Sequence, residues 1–235
     1  TSVLFTIKVK SQIVNIPDPA FKNALLNNSQ VNLNADSEIQ VSEANSVSGG
    51  LYLSGLGIYD LTGIDQFISL RILVCDNNQL TSLDLSTNMA LLILNCSNNQ
   101  LQHLDLTNSS PGINELYCWN NFLIDLNISN QSMLRLINCD NNLLTNLDLS
   151  SKPLLSSIEC NYNQLSVLNV SSDTLLTTLK CRQNNLQNLD VSTNSHLDYL
   201  DCSFNELSFL DIENNSILNR LICNNNFLYL KMIAH

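Results

Sequence analysis

The feature that most narrows what this chain can become is a period. Eight cysteines, Cys75, Cys96, Cys118, Cys139, Cys160, Cys181, Cys202 and Cys223, recur every 21 residues, with a single step of 22. An asparagine follows each by three positions (Asn78, Asn99, Asn121, Asn142, Asn163, Asn184, Asn205 and Asn226), and a leucine follows by five (Leu80, Leu101, Leu123, Leu144, Leu165, Leu186, Leu207 and Leu228). Self-similarity at a short fixed period marks a solenoid, in which each repeat is one coil that touches only its neighbours. One coil cannot bury its own leucines. Stacked at a strand spacing of about 4.8 Å, coils cover one another and their leucines merge into one core. A coil's few apolar positions, worth roughly 1.5–3 kcal/mol each, offset the ordering entropy only when several coils stack.

Within the unit L-x-C-x-x-N-x-L-x-x-L-x-L the first three residues alternate in, out, in, which predicts a short strand with Leu73 and Cys75 on one face. The asparagine falls where the chain leaves that strand. Its amide is expected inside, bonded to backbone groups of its own and neighbouring coils, because unpaired groups there would cost about 1–3 kcal/mol per site.

The stretch Leu70–Asn88 fits L-x-x-L-x-C-x-x-N-x-L-x-x-L-D-L-x-x-N-x-x at every defined position. It resembles the leucine-rich repeat family, in its 21-residue subclass often called IRREKO. The resemblance covers roughly residues 51–233 and recurs eight times. It implies an α/β solenoid: a curved right-handed superhelix with a parallel sheet on the concave side, little helix and a small helical N-terminal cap. It also implies protein binding rather than catalysis.

Residues 1–12 read either as the remnant of an export signal or as an edge segment; Lys8 and Lys10 lie on the wrong side of the apolar residues for an ordinary signal. Residues 13–47 lack the period and form the cap. Pro17-Asp18-Pro19 opens a helical pattern over Ala20–Asn27, and Val41–Val47 predicts a second short helix. Between them Asn32, Asn34, Asp36, Glu38, Gln40 and Glu43 resemble the ligand positions of an EF-hand loop for Ca2+. Asn32 stands where that loop has Asp, and Ser37 where it has Gly, so weak calcium binding is set against a loop that merely joins two capping helices. Residues 48–235 form the array of about nine coils. The first, Leu51–Ile64, lacks the cysteine and asparagine and resembles the 22-residue repeat of internalin-like proteins. Between Thr107 and Glu115, Asn-Ser-Ser-Pro-Gly lengthens one turn. The last coil departs from the pattern after Leu228, so the natural protein is expected to continue past His235.

The cysteines are expected as free thiols, each a small buried hydrophobe whose side chain runs parallel to its neighbours'. Zinc binding is not expected, because no Cys-x-x-Cys occurs. A second row, Asp84, Asp105, Asn127, Asp148, Asn169, Asp190 and Asp211, points outward, and bonding to nearby hydroxyls and backbone N–H groups accounts for it. His103 and His196 occupy different repeat positions and form no dyad, and no Ser or Thr has a base at a defined offset. No enzymatic activity is expected.

A net charge of −11 with only 13% charged residues disfavours nucleic acid or an anionic membrane as partner, and no apolar run is long enough to span a bilayer. Outward strand positions are not needed for the core, so their identity is informative. Tyr117, Trp119, Glu159, Lys180, Arg182, Tyr199 and Asp201 gather there, of the kinds that binding hot spots use. Tyr117 and Trp119 have a second reading, as cover for the lengthened turn. The expected function is a secreted or cell-surface bacterial module, monomeric, that recognises or adheres to a protein or surface glycan. The alternative is a structural spacer or appendage of a longer surface protein.

Overall fold

The computed structural model describes residues 12–228. The readings made for the first residues and for the chain after Leu228 lie outside them. Two short helices, α1 (Pro19–Leu26) and α2 (Val41–Ser46), precede the array, each within a residue or so of its expected span. Asp18 caps α1, with Pro19 following in the first turn. The buried Asp18 carboxylate does two jobs. One oxygen accepts from the amides of Ala20 (2.8 Å) and Phe21 (2.9 Å), the other from those of Tyr59 (2.8 Å) and Asp60 (3.1 Å). It therefore pins the cap to the first coil, while Phe21, Leu25 and Ile39 are buried in a core continuous with that of the coils.

Each coil contributes one three-residue strand to the main sheet: β1 (Gly50–Tyr52), β2 (Ile72–Val74), β3 (Ile93–Asn95), β5 (Glu115–Tyr117), β7 (Leu136–Asn138), β8 (Ser157–Glu159), β9 (Thr178–Lys180), β10 (Tyr199–Asp201) and β11 (Arg220–Ile222). They form one parallel nine-stranded sheet in chain order, interrupted in sequence only by β4 (His103–Asp105) and β6 (Asp125–Asn127). Those two pair with each other on the coils that flank the 22-residue step. The register is uniform: Leu51, Leu73, Leu94, Leu116, Ile137, Ile158, Leu179, Leu200 and Leu221 lie side by side. All are buried except Leu221 on the terminal strand. All eight cysteines are free, and seven are buried beside this leucine row. Burial pushes their pKa up, to about 12 for Cys96 and Cys202, and neighbouring thiols add to the rise at Cys75, Cys181 and Cys202.

The asparagine ladder is as expected. Asn99 donates to the carbonyls of Cys75 (3.0 Å), in the preceding coil, and Cys96 (3.0 Å), in its own, and its oxygen accepts from the Leu80 amide (3.0 Å). Asn121, Asn142, Asn163, Asn184 and Asn205 repeat the arrangement. The position just before each takes a left-handed conformation, with φ between 50° and 57°. Asparagine, which tolerates that region, fills it in five of the eight coils; Tyr162, Gln183 and Phe204 fill the others.

A second inner ladder runs along the opposite side. Asn88, Gln131, Asn194 and Asn215 donate to carbonyls of the preceding coil, for example Asn194 to Val170 (3.0 Å) and Asp173 (2.9 Å). In the lengthened turn the buried Ser109 hydroxyl bonds the Leu106 carbonyl (2.8 Å) instead. Two coils break the chemistry with Lys152 and Asp173, both buried. Lys152 donates to the Ser150 (2.8 Å) and Ser129 (3.4 Å) carbonyls, but neither carboxylate oxygen of Asp173 has a hydrogen-bond partner. Burial pushes Asp173 up to about 6, a rise that Ser172 and Lys152 only partly oppose.

Candidate functional site

Strand alternation puts the leucine and cysteine rows inside and leaves three columns on the outer face of the sheet: both strand ends and the residue after each cysteine. Five of the seven expected site residues come together, Glu159, Lys180, Tyr199 and Asp201 on β8, β9 and β10 and Arg182 two residues past the end of β9. The Lys180 ammonium lies 2.8 Å from Glu159, whose other oxygen accepts from Asn138 (3.1 Å). Tyr199 lies between two cations, with Lys180 at 5.6 Å and Arg220 at 4.9 Å from its ring centre. Asp201 accepts from the backbone and hydroxyl of Ser203 (3.0 and 2.6 Å). Arg182 donates to the Tyr162 hydroxyl (3.2 Å) and the Ser203 hydroxyl (3.3 Å).

Tyr117 and Trp119 stand apart. Their strand, β5, is three strand steps from β9, roughly 14 Å at sheet spacing. Tyr117 bonds Glu115 (3.0 Å), and burial raises its pKa, with Glu115 and Glu159 adding to the rise. Both aromatic residues are half-buried; Tyr117 stands between Asn95 and Asn138 of the flanking strands, Ile93 and Leu136 flank Glu115, and Ile72 and Val74 lie one strand beyond β3. Toward the N-terminus the face thus mixes apolar side chains with Asn95, Ser97 and Asn138, and toward the C-terminus it is charged and aromatic. Between them Asp140 accepts from the Asn161 backbone (2.6 Å) and amide (3.0 Å); burial raises its pKa against those bonds.

Sequence reasoning missed Tyr162 and Phe204. The Arg182 guanidinium lies 4.2 Å from the Phe204 ring centre and 5.9 Å from that of Tyr162. The signal was there: both rings occupy the left-handed position that asparagine fills elsewhere. A bulky residue is strained in that conformation, and these two flank the same arginine.

The cap loop brings Asn32, Asn34, Asp36, Glu38, Gln40 and Glu43 together, but its turn differs from the expected one. Ala35, not Ser37, takes the left-handed conformation (φ 55°). Glu43 accepts from the Leu33 (2.8 Å), Asn34 (3.2 Å) and Gln40 (2.9 Å) amides, as a helix cap does. Asn34 and Gln40 both bond Asp36, and Glu38 pairs with Lys22 at 2.7 Å. No group of three or more His, Cys, Asp or Glu able to hold a metal ion occurs among the described residues. In the outer acidic row each side-chain oxygen accepts from the amide two residues on, as in Asp84–Ser86 (2.9 Å), Asp105–Thr107 (2.9 Å) and Asp148–Ser150 (2.9 Å). Those bonds hold the carboxyls below the usual range.

Comparison with solved structures matches this geometry to bacterial proteins. The functional domain of InlJ from Listeria monocytogenes, a structure that includes a cysteine ladder, superposes with a TM-score of 0.74 at 29% identity over 93% of this chain and 53% of its own. Internalin C2 of the same organism gives 0.76 at 21% identity over 91% and 97%. The fold of the present chain is that of a leucine-rich repeat solenoid. A leucine-rich repeat protein of Leptospira interrogans matches at 0.65 and 23% identity, over 71% of this chain and 46% of its own. The leucine-rich repeat chain spans about half the length of the InlJ domain. No protein-family model matches it, and no curated protein matches it in sequence. Among the described residues no helix is long and apolar enough to cross a membrane.

Proposed function

We propose that this leucine-rich repeat array is a non-enzymatic protein-binding module of a secreted or cell-surface protein, acting through the outer, concave face of its sheet. One observation carries the reading. The inward positions of the nine strands repeat from coil to coil, while the outward positions differ in each and collect aromatic and cationic side chains in mutual contact. Side chains that a fold does not need, held in place by one another, are the raw material of hot spots. The likeness to InlJ and internalin C2 supports an interaction role. The test is affinity capture from host and bacterial surface extracts with wild type, Trp119→Ala and Arg182→Ala. Both variants are expected to fold normally and to lose the captured partner; unchanged capture by both would overturn the assignment of the face.

A further inference from the structure

The chain carries ten Lys and Arg against 21 Asp and Glu, yet three of its cations converge on β9–β11 of the sheet face. Lys180 is neutralised by Glu159. Arg182 and Arg220 have no carboxylate within ion-pairing distance among the described residues. Both are held by aromatic rings instead: Arg182 over Phe204 and Arg220 over Tyr199. A guanidinium stacked on a ring is oriented by it while its N–H edge stays available in the plane of the group, the geometry that grips a carboxylate with two hydrogen bonds. Arg182 commits Nε to Tyr162 and one Nη to Ser203, which leaves its remaining donors open.

Resting on the protein-binding reading above, we infer that β9–β11 form a receptor for the carboxylates of an acidic protein segment, gripped by Arg182 and Arg220, while its apolar residues lie against Trp119 and Leu136. Charge complementarity selects the carboxylate: the two arginines are oriented and, among the described residues, without a carboxylate partner, in a molecule of net charge −11. The neighbouring acids select against a polyanion, since Asp140, Glu159 and Asp201 share the face and repel a continuous run of negative charge. The exposed Phe204 ring beside Arg182, with the half-buried Leu136 and Trp119 further along the face, selects a protein over an acidic glycan.

The test is selection of a random peptide display library on the intact chain, repeated on Arg182→Gln/Arg220→Gln and on Trp119→Ala. Wild type is expected to enrich peptides that pair Asp or Glu with a neighbouring apolar residue. Their affinity should fall as salt rises and drop about tenfold or more in the double arginine variant. Trp119→Ala should keep the acidic preference and lose the apolar one. Because the enrichment is read on wild type, misfolding of a variant cannot hide it. Peptides lost by Trp119→Ala but with no acidic preference would overturn the receptor and leave the binding face standing. Failure to select any peptide sensitive to these variants would overturn both.

Discussion

The two faces of the same nine strands follow opposite rules. Inside, every coil presents a leucine or isoleucine, then from β2 onward a cysteine, then an asparagine with the same bonds to the coil before it. Outside, the sequence runs from Tyr52, Val74 and Tyr117 to Glu159, Lys180 and Asp201 without repeating. The difference teaches where stability and function reside. An inward position faces two copies of itself, so any departure disturbs three coils. An outward position faces solvent or a partner and is free to vary.

Breaking the inner rule should have the largest effect. Ile158→Ala, in mid-array and fully buried, is expected to cost about 2–5 kcal/mol by urea unfolding. Asn163→Ala comes next, at about 1–3 kcal/mol, because it orphans the buried Leu144 amide; the Cys139 and Cys160 carbonyls each lose one bond but keep another, from Asn142 and Asn184.

Asp173 sharpens the comparison, being an inner position that already breaks its ladder. Its folded pKa of about 6 lies above the ordinary value near 3.9 of an unfolded chain, so the native state favours the protonated form. The contribution is therefore complete below about pH 4 and is lost as pH rises through 6, a swing on the order of 2 kcal/mol. Lys152 faces this group, and Asp148 faces Lys152. Asp173→Asn, which restores the donor found at Asn194, should stabilise the protein by about 1–2 kcal/mol at pH 7.5 and hardly at all at pH 4. Urea midpoints of the two proteins across that range check it. Asp84, Asp105 and Asp148 have the opposite sign: their lowered pKa values favour folding above the carboxylate range and lose that contribution as pH falls.

The smallest effects belong outside. Trp119→Ala and Arg182→Ala should change stability by no more than about 0.5–1 kcal/mol while abolishing binding, which would separate the two faces experimentally. Asp105→Asn should be neutral within about 0.5 kcal/mol, since Asn127 and Asn169 already make the same turn bond (3.3 and 3.0 Å).

The solenoid, its register, the free thiols and the first asparagine ladder were all legible because a period multiplies a weak local signal eight times. What was not legible broke the period or depended on geometry between coils. Nothing in the sequence marks Lys152 and Asp173 as members of a buried column. Tyr162 and Phe204 come from different coils, and only the backbone places them around Arg182. In the cap loop the residue types matched a ligand pattern, but the left-handed turn fell at Ala35 and Glu43 serves as a helix cap, because spacing alone does not dictate which residue takes positive φ. Asp18 gave no hint that one carboxylate would join the cap to the first coil.

Counting reactive thiols tests the sheltering of one coil by the next most directly. With a thiol-specific alkylating reagent at neutral pH, read by mass spectrometry, the native protein should react at Cys223 alone, the one half-exposed cysteine, and at all eight after denaturation. Rapid native modification of Cys96, Cys118, Cys139 or Cys160 would contradict a closed interior, and with it the division between an inner face that holds the fold and an outer face that binds.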